Sequence, residues 1–201
     1  MSRKYDINIK RYGDEAFAMT SENIRLSVLK PSAYKKVSEY IIRNRKFHKP
    51  YAQTHDESYF SPAVQKELLK YELKGYKAGT IVPLWISSVD SPWKVIGKVT
   101  FFNIAMGGMM NCAIGYHLDY SETGKGIMTG AVEAALQMMF DYLKLHRVEA
   151  FILPENEKRL NVVRRVGFTE EGLRKSYMHI NGHWRDHMSF YILDETIRKI
   201  F

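Results

Sequence analysis

Cysteine is nearly absent from this 201-residue chain: Cys112 stands alone. An internal disulfide is therefore impossible, and no cysteine cluster exists to hold zinc. Long apolar runs are missing too. None approaches the ~20 residues of a membrane-spanning helix, so no membrane partner is expected. The opening stretch MSRKYDINIKRYGD is charged and has no apolar signal core, which leads to an expected cytoplasmic location. Repeats, low-complexity tracts and linkers are also lacking. Hydrophobic residues make up 45% of the chain, which excludes disorder and points to one folded domain over residues 1–201.

Positive charge is what the chain has in excess. The net charge is +8 and the isoelectric point is about 9.4. Beyond solubility, this favours an anionic partner, either ribosomal RNA or a phosphate-rich cofactor. Lys35, Lys36, Arg43, Arg45, Lys46 and Lys49 form the densest basic region. No nucleic-acid-binding motif accompanies them, so sequence-specific nucleic-acid binding is not expected.

Hydrophobic periodicity and turn residues divide the chain. YDINIK alternates, and Gly13-Asp14 offers a turn, so residues 1–21 are expected to form an N-terminal strand or hairpin extension. A strand follows at NIRLSVL. Pro31-Ser32 opens a helix that should end near Arg43, and Ser61-Pro62 opens a second. TIVPLWISS, WKVIGKVTFFNI and NCAIGYHL read as strands separated by Asp90-Ser91-Pro92 and Gly107-Gly108. A helix then runs to about Leu143, followed by a strand at 146–153 and a short helix, Glu157 to Val166, stopped at Gly167. Asn181-Gly182 closes a final hairpin. The fold class expected is a mixed α/β (α+β) domain around a mostly antiparallel sheet flanked by helices.

The segment SETGKGIMTGAVEAAL carries the chemistry. Thr129, Glu133, Gln137, Asp141 and Lys144 share one narrow polar face, so the rest of this helix is buried. Gly124 and Gly126 bring bare backbone to the start of a buried helix, where unpaired N–H groups and the helix dipole favour an anion. A structural turn accounts for the same glycines. Tyr116 and His117 lie on the preceding strand and point to opposite faces. One of them should face a site here, and parity alone does not choose which.

Thr123-Gly124-Lys125-Gly126-Ile127-Met128 resembles the acetyl-CoA loop, Q/R-x-x-G-x-G/A, of the GNAT superfamily of N-acetyltransferases. Thr123 replaces the Gln/Arg and Met128 the last Gly/Ala. LHRVEAFILPENEKRLNVVRRVGFTEEGL and YMHINGHWRDH resemble the RimJ/RimL type, which acetylates N-terminal amines of ribosomal proteins. YIIRNRKFHKPYAQ resembles a basic, aromatic-containing segment of the RimJ branch. The resemblance spans roughly residues 22 to 193.

The resemblance implies acetyl-CoA as co-substrate, with no metal. Its pyrophosphate would sit on the amides of residues 124 to 129, which adds Ile127, Met128 and Thr129 to the cofactor side. Its pantetheine arm would lie where the sheet splays between the fourth and fifth core strands, beside Leu118, Asp119 and Tyr120. Asn156 matches a cofactor-facing asparagine, and it also suits a helix cap. The amine attacks the thioester directly. An N-terminal amine has a pKa near ~7.7–8.0, so no strong base is needed. The family's proton donors are missing: the tyrosine position is Val163, the serine position Arg159 and the glutamate position Met178. Arg159 would then serve a thiolate or a CoA phosphate, or stand as a solvated helix residue.

In the hairpin, a two-residue turn pairs Ile180 with His183 and Tyr177 with Asp186. Asp186 would share a face with Trp184, Met188, Phe190 and Ile192. With Tyr177 it forms either a structural pair or a site that binds or deprotonates the amine. His183 and His187 lie about 13 Å apart and His179 faces the other way, so no metal site is expected. The partner expected is a protein N-terminus, ribosomal by resemblance, with ribosome association through the basic surface. A small amine (antibiotic, polyamine or amino acid) is one alternative. A CoA-binding or ribosome-associated protein without activity is the other. The chain would be a monomer or a homodimer.

Overall fold

The structure, a computed structural model, describes residues 5–195. Residues 1–4 of the expected N-terminal extension lie outside the described residues. The described residues form one eight-stranded sheet. Its strands, in chain order, are β1 (Glu15–Ser21), β2 (Ile24–Leu29), β3 (Val82–Ser88), β4 (Gly97–Ala105), β5 (Asn111–Leu118), β6 (Arg147–Ile152), β7 (Thr169–Ile180) and β8 (His183–Leu193). They lie in the order β1-β2-β3-β4-β5-β6-β8-β7. Every neighbouring pair is antiparallel except β5 and β6.

Alternation along the central strands feeds two cores. Leu84 and Ile86 of β3 join Phe101, Cys112, Ile114 and Tyr116 against the buried face of α3 (Ile127–Leu143), with Leu160 and Val163 of α4 (Glu157–Val166). Trp85, between them, points the other way. It packs with Val37 and Tyr40 of α1 (Tyr34–His48) and Leu69 of α2 (Pro62–Lys77). The sheet is thus covered by α1 and α2 on one face and by α3 and α4 on the other. The polar stripe of α3 is met by the N-terminal segment, where the Tyr5 hydroxyl donates to Asp141 at 2.8 Å.

Three expectations are corrected. The N-terminal hairpin does not use YDINIK and Gly13-Asp14. It is β1 turning at Glu22-Asn23 into β2, and the earlier segment touches β1 through an Asp6–Thr20 bridge. Strand β1 is masked in the sequence by the charged residue that begins it: buried Glu15 accepts from Arg25 Nε at 2.8 Å and from Ser27 at 2.6 Å. Helix α1 runs past Arg43 to His48. Pro50, without an N–H, follows that end. In the last hairpin, Ile180 does pair with His183, with Asn181 and Gly182 both at positive φ. Tyr177 does not pair with Asp186. The register jumps from Arg174↔His187 to Met178↔Arg185, so three residues bulge opposite Asp186 alone.

The parallel pair β5–β6 positions everything that follows. Its pairing runs from Asn111↔Arg147 to Ile114↔Ala150 and stops there, although β5 continues to Leu118 and β6 to Ile152. Counted from β2, these are the fourth and fifth strands, and the sheet splays between them.

Candidate active site

Strand parity decides which backbone groups face the splay. The Met110 carbonyl accepts from the N–H groups of His146 and Arg147, on the β6 side. The Asp119 N–H donates to Ile96, on the β4 side. Even-numbered residues of β5 therefore turn their N–H and C=O toward β6. Beyond Ile114 these are Tyr116 and Leu118, whose carbonyls have no strand partner there. Two side chains take them: Arg159 Nη2 donates to the Tyr116 carbonyl, and His48 Nε2 donates to the Leu118 carbonyl at 2.9 Å.

The turn after β5 is built by side chains that fold inward. Asp119 caps it through Ser121 N–H at 3.1 Å and receives Arg43 Nε at 2.7 Å. Burial opposes the Asp119 charge, but the bonds from Arg43 and Ser121 outweigh it and hold its pKa below the usual carboxylate range. The Tyr120 N–H donates to Asn44 Oδ1 at 2.9 Å. Gly124 and Gly126 then sit at φ +81° and +78°, and a Cβ on either would meet nothing of the protein within 4 Å. Their backbone leaves open space beside a helix start that no side chain caps. An oxyanion fits such a place.

A cleft of about 780 Å³ opens at this point. Thr123, Gly124, Gly126, Ile127, Met128 and Thr129 form one wall, and Asn156, Lys158 and Arg159 of α4 form another. Tyr116, His117 and Leu118 form the floor, and the segment from Phe47 to Phe60 forms the far side. Asn156 also caps α4, accepting from Arg159 N–H at 3.2 Å, so both roles weighed from the sequence fall on it. Lys158 spans the cleft, with Nζ 4.7 Å from the Phe47 ring centroid.

The two residues left open by parity separate cleanly. Tyr116 turns to the α3/α4 side, where its hydroxyl donates to the Arg159 carbonyl at 2.9 Å. Burial raises its pKa above the ordinary tyrosine value. His117 turns to the α1 side, with Nδ1 2.6 Å from the Tyr40 hydroxyl and the two rings stacked at 5.5 Å. Burial, then the neighbouring His48, Lys98 and Arg159, push the His117 pKa well below that of a free histidine. The His48 ring lies tilted against it at 5.2 Å, and its pKa is likewise depressed by burial. Two neutral imidazoles therefore face the cleft.

Several sequence candidates lie elsewhere. Lys125 pairs with Glu122 at 2.9 Å, and Asp119 and Tyr120 serve the turn rather than line the cleft. Tyr177 and Asp186 are not among the lining residues. Asp186 clamps its bulge, accepting from Ser176 N–H at 2.8 Å and Lys175 at 2.9 Å. Tyr177 packs on Phe151 and His187. The basic region is partly neutralised within the fold: Lys36 pairs with Asp14, Arg43 with Asp119 and Arg45 with Glu57. Sequence reasoning missed Tyr40, Asn44 and His48. Their spacing of four residues is a helical face, and a helix that stops at Arg43 leaves Asn44 and His48 off that face.

Comparison with known proteins agrees with this geometry. The family model of the GNAT acetyltransferase domain matches residues 25–169. A [ribosomal protein uS5]-alanine N-acetyltransferase of Escherichia coli is 31% identical over 153 residues, which is 76% of this chain and 78% of that protein. The crystal structure of ribosomal-protein-S5-alanine acetyltransferase from Vibrio fischeri superposes with a TM-score of 0.85 at 29% identity, covering 90% of this chain and 98% of that one. RimJ of Mycobacterium smegmatis, in complex with CoA-disulfide, superposes with a TM-score of 0.81 at 27% identity, covering 88% and 84%. With the domain matched over most of its length, the chain belongs to the GNAT acetyltransferases and is an acetyl-CoA-dependent N-acetyltransferase.

Proposed function

We propose that the acceptor is the N-terminal α-amine of a protein, a ribosomal protein in the first instance. One observation carries this reading: the cleft is poor in acid. Among the described residues only Glu57 and Glu122 line it as carboxylates, and both are ion-paired, to Arg45 and Lys125. A polyamine, with several ammonium groups, needs carboxylates that are not there. A single amine that is partly neutral near its pKa of ~7.7–8.0 does not. The far wall also suits a peptide, because residues 53–58 are exposed and leave room for a chain to run outward. The relatives that act on ribosomal protein uS5 and S5 alanine support the same class.

The residues divide the work. Backbone amides at 124–129 would hold the diphosphate, and the splayed edge of β5 would pair with the pantetheine arm. His48 and His117, both neutral, leave an incoming amine unrepelled and offer it ring nitrogens. Orientation of the amine against the thioester supplies much of the acceleration, up to roughly 7–11 kcal/mol in favourable cases. Lys35, Lys46 and Lys49, which make no ion pair among the described residues, remain for contact with ribosomal RNA.

The experiment is acetylation of a panel of synthetic peptides that carry ribosomal-protein N-terminal sequences, with spermidine, amino acids and an aminoglycoside as competitors, read by mass spectrometry. A single acetyl group on the peptide α-amine is expected. Transfer only to a small amine refutes the reading.

A further inference from the structure

Arg159 stands where this chain departs from its family's pattern, and the structure gives it unusual surroundings. It projects from the first turn of α4 across the splay to the Tyr116 carbonyl, with its guanidinium carbon 5.4 Å from the Tyr116 ring. No carboxylate pairs with it among the described residues. Asp119, in the turn after β5, is committed to Arg43. Two other cations of α4 line the cleft: Lys158, which lies over Phe47 and Tyr120, and Arg165. Burial even lowers the Arg159 pKa, although it remains a cation. A half-buried guanidinium held by a carbonyl and one aromatic ring, without a counter-ion, stabilises whatever negative charge comes beside it.

The edge of β5 identifies that charge. A strand-like arm that leaves the glycine turn meets the Leu118 carbonyl before the Tyr116 carbonyl. With its diphosphate at residues 124–129, such an arm would bring its far end, which bears the thioester, beside Arg159. We propose that Arg159 is the charge partner of the departing thiolate, in place of a proton-donating hydroxyl. This rests on the acetyl-transfer reading above. The amine lone pair forms the N–C bond, and the C–S bond breaks with its electron pair passing to sulfur. The nitrogen gives its surplus proton to water, and Arg159 keeps its own protons throughout. The protein then needs no general acid, which accounts for Val163, fully buried and apolar, at the position where the family's pattern has a tyrosine.

Free CoA bound to the protein tests this without turnover. The thiolate absorbs in the ultraviolet, so the thiol pKa of bound CoA is read by a pH series, with desulfo-CoA as blank. In the parent protein it should fall below that of CoA in solution. Arg159→Gln should return it to the solution value or above and lower kcat roughly 10–100-fold with a smaller change in KM. Arg159→Lys should keep most of the pKa effect. A thiol pKa in the parent at or above the solution value overturns the proposal, as does an unchanged pKa in the glutamine variant. If peptide acetylation persists in the parent under those outcomes, only the role of Arg159 falls. If the parent neither binds CoA nor acetylates, the acetyl-transfer reading falls with it.

Discussion

Replacing Gly126 by glutamate separates two things that a glycine can do. Its φ of +78° costs an ordinary residue about 1–2 kcal/mol, which any side chain except asparagine will feel as lost stability. That term says nothing of ligand binding. The second term comes from the space beside it, where a Cβ meets no protein atom within 4 Å. If that space holds a diphosphate, a carboxylate about 5 Å from one phosphate charge is repelled by about 3 kcal/mol at an effective dielectric of 20. The turn is open to solvent, so screening reduces this to about 1–2 kcal/mol, a 5–30-fold rise in the Kd for acetyl-CoA. Gly126→Asn tolerates the positive φ and adds bulk without charge. Calorimetry at low and high salt should therefore rank the parent tightest, then asparagine, then glutamate, and the gap between the two variants should shrink in salt. Urea unfolding reports the backbone cost separately. An unchanged Kd in the glutamate variant, with the fold intact, refutes the cradle.

Three further outcomes follow from the same structure. Glu15→Ala strands Arg25 on a buried face and should cost about 3–5 kcal/mol in urea unfolding at pH 7. Although burial opposes it, bonds from Arg25 and Ser27 depress the Glu15 pKa, so its contribution is full above the unfolded value of about 4.3 and disappears as pH falls through the lower folded value. A parent-minus-variant difference that persists unchanged at pH 2 would contradict this. His48 and His117 are depressed by burial, so below about pH 6.5 the unfolded chain binds more protons than the folded one. Stability should fall as pH drops from 7.5 to 5.5, His117→Gln should flatten that slope, and a His117 ring titrating near 6.5 by NMR would show the reasoning wrong. Asp186→Ala should loosen the β7 bulge, seen as faster amide exchange at Lys175 to Tyr177, while the Kd for acetyl-CoA stays put. Weakened cofactor binding would return Asp186 to the site.

The sequence displayed the elements whose side chains obey one period. The buried helix α3 and the Asn181-Gly182 turn were legible because their signals are local. So was the glycine turn, whose two positive-φ residues admit little besides glycine. What failed did so for physical reasons. Strand β1 carries a buried glutamate whose partners sit on the next strand, so its burial looks like exposure until Arg25 and Ser27 are in place. Asp186 paired with Tyr177 only if the hairpin kept strict register, and a bulge held by Asp186 itself broke it. The basic tail of α1 looked like a solvated surface, yet Arg43 and Asn44 fasten the β5–α3 turn and His48 reaches the Leu118 carbonyl. Tertiary partners, not composition, decide those roles.

Strand β5 is the segment on which the proposed roles converge. Its side chains alternate across the sheet, so Tyr116 is given to α4 and His117 to α1. Its backbone alternates in the plane of the sheet, so Tyr116 and Leu118 turn toward the splay while Asp119 turns to β4. Three directions therefore leave four consecutive residues. The α4 side carries the Arg159 guanidinium, the α1 side carries the neutral imidazoles, and the edge between them carries carbonyls. Under the roles proposed for Arg159, His48 and His117, a cation would stand on the leaving-group side and uncharged rings on the entering side, the polarity that acyl transfer from a thioester to an amine calls for, because negative charge grows on sulfur as the amine loses its lone pair. Shifting the register by one residue would exchange the two faces and turn the carbonyls into the sheet. The end of β5–β6 pairing at Ile114 thus leaves those carbonyls outside the ladder, as the proposed chemistry would need.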